Sequence, residues 1–199
     1  MIDRVWPADE LHCTGHAVCE KWQESSLPDA SVDVVLGDGS LSVLPSRRDY
    51  PAVIGDVHRV LKPGGRFALR CFVHPDDDEP IDRVFDDLEA NKIGSMHALK
   101  WRIAMALQKT IVDGVVVSDI RDCFNAHVAD RQAAARRLGW PVEAINTIDA
   151  YTGSSVAYTF PTLAEITEAV AGRFEITSIT HPSYELGERC PVIGFARIA

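Results

Sequence analysis

The sequence VDVVLGDGSLSVLPSRRDYPAVIGDVHRVLKPGGRFALRCF, residues 32–72, contains the pattern that decides the fold. It opens with a short apolar run that stops at the glycines of Gly37-Asp38-Gly39. Such a run, ended by glycine, is typical of a strand that is buried on both faces. From Tyr50 onward apolar residues recur with helical spacing. These residues are Val53, Ile54, Val57, Val60 and Leu61.

The segment Lys62-Pro63-Gly64-Gly65 is expected to end this helix, because proline cannot continue a helix and glycine permits a positive φ angle. The apolar residues of segment 67–72 then predict a second buried strand. A strand, a helix and a strand over this length predict a parallel βαβ unit with a right-handed crossover.

The segment LPDASVDVVLGDGSLSVL, together with VLKPGGRFALR, resembles the central part of the class I S-adenosylmethionine-dependent methyltransferases. The resemblance is strong over residues 27–72 and loose over the rest of the chain. It implies a Rossmann-like α/β fold, S-adenosylmethionine as cofactor, and methyl transfer to a small-molecule nucleophile. The alternative at the level of fold is another doubly wound α/β unit.

The first residues, MIDRVWP, resemble a segment that lies inside the family's chains, after their second strand. The family places a glycine-rich GxGxG turn and a ribose-binding acid before that segment, whereas the one G-x-G of this sequence, residues 37–39, follows a later strand. The resemblance therefore implies a methyltransferase sheet that lacks its first βαβ unit. We expect such a truncated chain to bind cofactor weakly and to be inactive as written.

The resemblance also assigns cofactor-binding residues before the central strand. Aligned through LPDAS, the acid that binds the adenine amino group in the family corresponds to Lys21, with Glu20 one residue earlier. Glu20 substitutes for that acid if the loop shifts slightly. Trp22 either lines the adenine pocket or packs beside the loop.

Further candidates lie at the carboxyl ends of the two strands, where open α/β sheets bind their ligands. Gly37 and Gly39 are expected to let the cofactor approach the backbone. Asp38 is expected either to face the sulfonium or amino group, or to cap the following turn. His74 leaves the second strand at the same edge and is a candidate for the acceptor side.

Residues 76–150 predict several helices in place of the single helix that the simplest members of the family have between two strands. We divide the chain into a methyltransferase-like core, residues 1–75 and 151–199, and this helical insertion. An insertion at the carboxyl edge is expected to form a lid that contacts the substrate and excludes water. The candidates on it are Met96, His97, Lys100 and Trp101. Met96 and Trp101 have a second interpretation, as apolar residues of the lid's own core.

The end of the chain favours the methyltransferase sheet over a dinucleotide-binding one. Thr162 and Glu165 form a T-x-x-E capping box, which predicts a helix start. Segments 174–179 and 192–198 predict a final antiparallel hairpin, which a fully parallel sheet does not have. The sequence also has no dinucleotide fingerprint, which counts against a reductase.

Composition limits the classes of partner. The net charge of −9 argues against a nucleic-acid partner, and no stretch approaches the roughly 20 apolar residues of a membrane span. The five cysteines are scattered without a CxxC motif, so we expect reduced thiols, no metal site and a cytoplasmic protein. The cysteines are Cys13, Cys19, Cys71, Cys123 and Cys190.

The central strand also leads to a second functional hypothesis. Without the first βαβ unit, this strand has a free edge with unpaired backbone groups, which is an association site. We therefore expect a homo-oligomer with residues 1–26 displaced; the alternative is that the segment 16–19 pairs with the edge inside one chain. A non-catalytic binding or dimerisation module derived from a methyltransferase is accordingly the alternative to the enzyme.

Overall fold

The computed structural model describes residues 18–198, which form a mixed α/β structure. The strands are β1 (Val32–Asp38), β2 (Leu61–Arg70), β3 (Val115–Val116), β4 (Ala157–Tyr158), β5 (Phe174–Thr180) and β6 (Val192–Arg197). The helices are α1 (Tyr50–Val60), α2 (Ile81–Glu89), α3 (Met96–Leu107), α4 (Val117–His127), α5 (Arg131–Leu138), α6 (Val142–Asn146) and α7 (Leu163–Val170).

Four strands form the main sheet in the order β1-β2-β6-β5. Strand β1 is parallel to β2, whereas β6 is antiparallel to both of its neighbours, β2 and β5. The predicted parallel βαβ unit and the predicted antiparallel hairpin at the end of the chain are therefore both present. This sheet confirms the Rossmann-like α/β class that the sequence predicts.

Strand β2 begins at Leu61, several residues earlier than expected, so the turn residues lie inside the strand. Val32 pairs with Leu61 and Val34 with Arg66, which leaves an irregularity in the ladder at Pro63-Gly64-Gly65. Gly64 adopts a φ of 76°. A Cβ atom on Gly65 would lie 2.9 Å from the Lys62 carbonyl oxygen. Helix α1 nevertheless ends at this segment, as predicted.

The expectation that β1 is buried on both faces is wrong. Val34 is 55% exposed and Leu36 is 73% exposed. Helices α1 and α7 contribute to the apolar cluster on the opposite face, which Val35 joins. No other strand of residues 18–198 pairs with the second edge of β1. The side chains of Val34 and Leu36 therefore point to an open face, which we call the outer face of the sheet.

Helices α2 to α6 form an apolar core of their own beside the sheet. Large buried side chains of this core include Leu88, Leu99, Ile103, Phe124 and Phe160. Within the described part of the chain, no helix is both long and apolar enough to cross a membrane.

The apolar spacing from Ser118 to Leu138 predicts one long helix, but the structure has two helices there, α4 and α5. The side chain of Asp130 accepts a hydrogen bond of 2.9 Å from the Ala133 amide, which starts α5. Aspartate caps a helix start well because its carboxylate satisfies an amide that has no partner within the helix. Ser95 precedes the apolar spacing of segment 96–107, which predicts that it caps a helix start, and its hydroxyl accepts a hydrogen bond of 3.1 Å from the Ala98 amide of α3.

Candidate functional site

An ion pair between neighbouring strands lies at the centre of the candidate site. Asp38 and Arg70 end the parallel strands β1 and β2 and are partners in the register. The Arg70 Nε atom is 2.6 Å from Asp38 Oδ1, and Nη2 is 2.8 Å from Oδ2. The hydrogen bonds to Asp38 raise the pKa of Arg70 and keep its guanidinium charged. Asp38 is thus bound on one side before any ligand arrives, and it does not cap the following turn.

The β1-end pocket has a volume of about 440 Å³. It brings together three predicted cofactor residues, Glu20, Trp22 and Asp38, with Lys21 and Ser40 beside them. The Asp38 side chain is 66% exposed despite its ion pair, so its carboxylate remains accessible.

Glu20 reaches this pocket from an exposed position. Its carboxylate accepts a hydrogen bond of 2.9 Å from the Ser26 amide. Hydrogen bonding from Ser26 lowers the pKa of Glu20. Lys21, which takes the family's acidic position, lines the same pocket.

The two glycines at the end of β1 lie in close contact with side chains of neighbouring residues. A Cβ atom on Gly37 would lie 2.7 Å from Leu69 and 3.0 Å from Trp22. A Cβ on Gly39 would lie 2.8 Å from the Phe72 ring, and Gly39 has a φ of 64°. The space above both glycines is thus filled by side chains of the protein itself. Glycine at these positions allows the aromatic rings to pack and does not by itself open a path for a ligand.

A second pocket, the α3 pocket, lies beside Arg70 and has a volume of about 270 Å³. Its lining comes from the end of β2, from α3 and from the loop between β5 and β6. The lining residues are Arg70, Phe72, Ser95, His97, Ala98, Trp101, Tyr184, Glu185, Leu186 and Cys190. Two predicted substrate residues, His97 and Trp101, are therefore brought together with the Asp38–Arg70 pair.

The aromatic part of the α3 pocket is held in place by its neighbours. Phe72 and Trp101 are stacked with ring centroids 4.5 Å apart. Trp101 also contacts Phe160 edge-to-face, with centroids 5.7 Å apart. The Arg70 guanidinium lies 5.6 Å from the centroid of the Phe72 ring. Aromatic pairs of this kind stabilise beyond the area that they bury, so they fix one wall of the pocket.

His97 lines this pocket from an exposed position, one turn before Trp101 on α3. Partial burial of the ring lowers the pKa of His97, and the positive charges of Lys100 and Arg70 lower it further. Its neighbour Lys100 lies between Thr147 and the Tyr151 ring, and burial lowers the pKa of Lys100.

The structure places the other two predicted substrate residues elsewhere. Met96 is only 3% exposed and belongs to the helical core, in agreement with its second interpretation. The His74 ring is bonded to the carbonyl oxygens of Pro75, at 2.8 Å, and Met105, at 3.1 Å. Neither residue lines the α3 pocket.

Sequence reasoning missed the contribution of Tyr184 and Glu185. The Tyr184 hydroxyl accepts a hydrogen bond of 3.3 Å from Arg70. The Glu185 carboxylate accepts hydrogen bonds from the Gly94 amide, at 2.5 Å, and the Ser95 hydroxyl, at 3.0 Å. The signal was the length of the loop between the last two strands, since β6 lies next to β2 and its loop must emerge near Arg70.

The residues of the β1-end pocket fit the chemical groups of S-adenosylmethionine. The cofactor presents a cationic sulfonium, an ammonium group and an adenine ring. Asp38 offers an accessible carboxylate for a cation, and Trp22 offers an aromatic surface in the same pocket. Within residues 18–198, no cluster of three or more His, Cys, Asp or Glu side chains is suited to a metal ion.

Comparison with known proteins places the similarity in the same region. Residues 6–69 match a family described as a methyltransferase domain. Nothing among curated proteins matches the chain.

Three solved structures are similar over most of the chain. A SAM-dependent methyltransferase from Methanosarcina mazei has 16% identity and a TM-score of 0.46, covering 90% of this chain and 65% of its own. A protein from Pyrococcus horikoshii has 12% identity and a TM-score of 0.49, covering 96% and 63%. A S-adenosylmethionine-dependent methyltransferase from Mesorhizobium loti has 13% identity and a TM-score of 0.44, covering 89% and 67%.

The chain thus spans 63% to 67% of the length of these three proteins. The family match covers β1, α1 and all of β2 except Arg70. It therefore includes Asp38 and ends one residue before Arg70. This match to a methyltransferase domain agrees with the resemblance of residues 27–72 to the class I S-adenosylmethionine-dependent methyltransferases.

Proposed function

We propose that the protein transfers a methyl group from S-adenosylmethionine to a small-molecule nucleophile, in place of the weak binding and inactivity expected of a sheet without its first βαβ unit. The observation that carries this proposal is the Asp38–Arg70 ion pair, because Asp38 lines the β1-end pocket and Arg70 lines the α3 pocket. Two pockets that adjoin at the carboxyl ends of parallel strands suit a donor and an acceptor held side by side.

In this proposal each pocket has one task. Bound at the β1 end, the cofactor supplies an electrophilic methyl group. Asp38 and Trp22 hold its cationic and adenine groups, while Phe72 and Trp101 orient the acceptor in the α3 pocket. Arg70 fixes the carboxylate of Asp38, so the donor side is ordered before binding. Residues 76–150 are the substrate-side subdomain, and their helices exclude water from the acceptor.

The test of cofactor binding is a comparison of two exposed aspartates that each pair with an arginine. Asp29 bonds to Arg59 at 2.8 Å and is 80% exposed, but it lies away from the β1-end pocket. We expect Asp38→Asn to weaken S-adenosylmethionine binding about ten- to a hundredfold, because a hydrogen bond to a charged group contributes about 1.5–3 kcal/mol. We expect Asp29→Asn to leave the affinity unchanged. Titration calorimetry measures both.

Equal affinities for the two variants would contradict the placement of the donor at Asp38. Circular dichroism of both variants shows whether each is folded as the unmodified protein is. A full-length protein that binds no S-adenosylmethionine at millimolar concentration would contradict the proposed function itself.

The exposure of β1 favours a second candidate function, that of a non-catalytic module that associates with a second copy. Val34 and Leu36 form an apolar, exposed row at one side of the outer face. An exposed apolar edge strand is a site for pairing with another chain. The mass of the protein in solution tests this candidate independently of the cofactor.

A further inference from the structure

The polar side chains of the α3 pocket differ in whether they already have a partner. Arg70 is bonded to Asp38 and Tyr184, and Glu185 is bonded to the Gly94 amide and the Ser95 hydroxyl. Among residues 18–198, no side chain or backbone group forms a hydrogen bond with the His97 ring. Of these groups, His97 is therefore the one that is free to bond to a ligand.

The charges around His97 favour its neutral form. Lys100 follows it on α3, Arg70 faces the pocket from β2, and the loop between β5 and β6 contributes Tyr184, Glu185 and Cys190. The negative charge of Glu185 is held by Gly94 and Ser95. Burial of part of the ring, followed by the charges of Lys100 and Arg70, lowers the pKa of His97 below 6.5. A neutral imidazole has one nitrogen that accepts a proton.

The remainder of the α3 pocket is apolar. Phe72 and Trp101 form its aromatic wall, with Ala98 and Leu186 beside them. A volume of about 270 Å³ is small, so the acceptor must be compact. The pocket thus combines an aromatic wall with His97, a proton acceptor that has no hydrogen-bond partner among residues 18–198.

We propose that the α3 pocket takes a compact phenol-type aromatic alcohol and that His97 is the catalytic residue that accepts its proton. This inference rests on the proposed methyl transfer. The phenol oxygen forms its bond to the methyl carbon as the carbon–sulfur bond breaks, and that electron pair stays on sulfur. The hydroxyl proton passes to the neutral ring of His97 and then to solvent. An aromatic hydroxyl has a pKa of about 10 and is mostly protonated at neutral pH, so a base in contact with it assists its reaction as a nucleophile.

The test uses binding and needs no cofactor. The probes are 2-naphthol and 2-methoxynaphthalene. In the second probe a methyl group replaces the hydroxyl proton that His97 is proposed to accept. We expect the full-length protein to bind 2-naphthol about two- to tenfold more tightly, because one hydrogen bond contributes about 0.5–1.5 kcal/mol. Titration calorimetry at pH well above and well below 6.5 measures the preference. It is expected at the higher pH and lost at the lower one, where the protonated ring cannot accept.

Two histidine variants separate a chemical role from a structural one. His97→Leu is expected to abolish the preference for 2-naphthol over 2-methoxynaphthalene. His127→Leu is the control, because His127 stacks on Phe85 with centroids 3.8 Å apart and does not line the α3 pocket. In ¹⁵N spectra, 2-naphthol is expected to shift one histidine nitrogen, and that signal is absent from His97→Leu.

Binding of neither probe would overturn the aromatic acceptor class. Equal binding of both probes, or a preference that survives in His97→Leu or at low pH, would overturn the role of His97. If the protein prefers 2-naphthol through His97 but binds no S-adenosylmethionine, the proposed ligand of the α3 pocket stands and the proposed methyl transfer is contradicted. The two failures are therefore distinguishable.

Discussion

At the scale of single residues, the Asp38–Arg70 pair shows how two separately predicted charges become one unit. The sequence predicts Asp38 as a cofactor residue and places Arg70 within the next strand. In the structure they are neighbours because β1 and β2 are parallel and in register at these residues. Because the two charges offset each other, the pair attracts a cation less strongly than the Asp38 carboxylate would alone.

A second group of charges joins the helical part of the chain to the loop before β6. Arg102 is bonded to Glu79, at 2.5 Å, and to Asp87, at 2.8 Å, and Glu79 also pairs with Arg189. The side chains of Arg102, Glu79 and Asp87 are only 11–13% exposed. Loss of one partner from such a group leaves a buried charge without compensation.

The stability of the protein is expected to depend on Asp87 below pH 4. The hydrogen bond from Arg102 lowers the pKa of Asp87 from 3.8 to about 2. A lowered carboxyl pKa stabilises the folded state above the unfolded pKa, and this contribution is lost as the pH falls through the folded pKa. Asp87→Asn should therefore be less stable than the unmodified protein at neutral pH, with a difference that narrows between pH 4 and pH 2. Urea unfolding at several pH values measures it.

Asp86→Asn is the control for this measurement, since Asp86 is exposed on the same helix and forms no ion pair within residues 18–198. At neutral pH Asp86→Asn should be about as stable as the unmodified protein, because the substitution removes no ion pair of the kind that Asp87 forms with Arg102. A difference for Asp87→Asn that stays constant between pH 4 and pH 2 would mean that Asp87 does not titrate with a lowered pKa.

At the scale of elements, local sequence signals account for most helix boundaries. Helix α7 has a complete capping box, in which the Thr162 hydroxyl accepts from the Glu165 amide, at 3.2 Å. The Glu165 carboxylate in turn accepts from the Thr162 amide, at 2.8 Å. The predicted T-x-x-E motif is thus confirmed atom by atom. Buried Ile166 and Val170 then fix this helix to the sheet.

Thr162→Ala is expected to lower the free energy of unfolding by about 1 kcal/mol, because it removes the side chain that satisfies a helix-terminal amide. Thr167→Ala is the matched control in the same helix. The Thr167 hydroxyl is exposed and only bonds back to the Leu163 carbonyl, at 2.8 Å. Since alanine has the higher helix propensity, this control should be neutral or slightly stabilising. Urea unfolding measures both variants. If the free energy of unfolding falls by a similar amount in both, the capping hydrogen bond does not account for the loss in Thr162→Ala.

At the scale of the whole molecule, the sheet has one covered face and one open face. The rows Val34–Arg66–Ala196 and Leu36–Ala68–Gly194 lie on the outer face by their register. Small residues thus lie at the centre of the outer face, and exposed apolar residues lie on its β1 side. Such a surface rarely stays in water without a partner when, as among residues 18–198, no strand pairs with its outer edge.

We expect the protein to associate through β1 at micromolar concentration, with a mass above the 21.9 kDa of one chain. Val34→Lys should return it to a monomer, because a lysine on an edge strand opposes pairing. Val156→Lys is the control, since Val156 is 54% exposed, against 55% for Val34, but lies outside the sheet. Light scattering measures each mass. A monomer for the unmodified protein, with the β1 amides protected in hydrogen exchange, would contradict association.

The sequence by itself determined the βαβ unit, the caps of α3 and α7 and the final hairpin, because apolar periodicity and capping act within a few residues. It also identified His97 and Trp101, which share one helix face near the sheet edge. Only the tertiary structure decided that Arg70 binds Asp38, that Tyr184 and Glu185 complete the α3 pocket, and that His74 and Met96 lie outside it. It also decided that β1 is open, since burial of an apolar strand depends on what packs against it. These outcomes depend on strand register and on contacts between distant segments, which local sequence patterns do not encode.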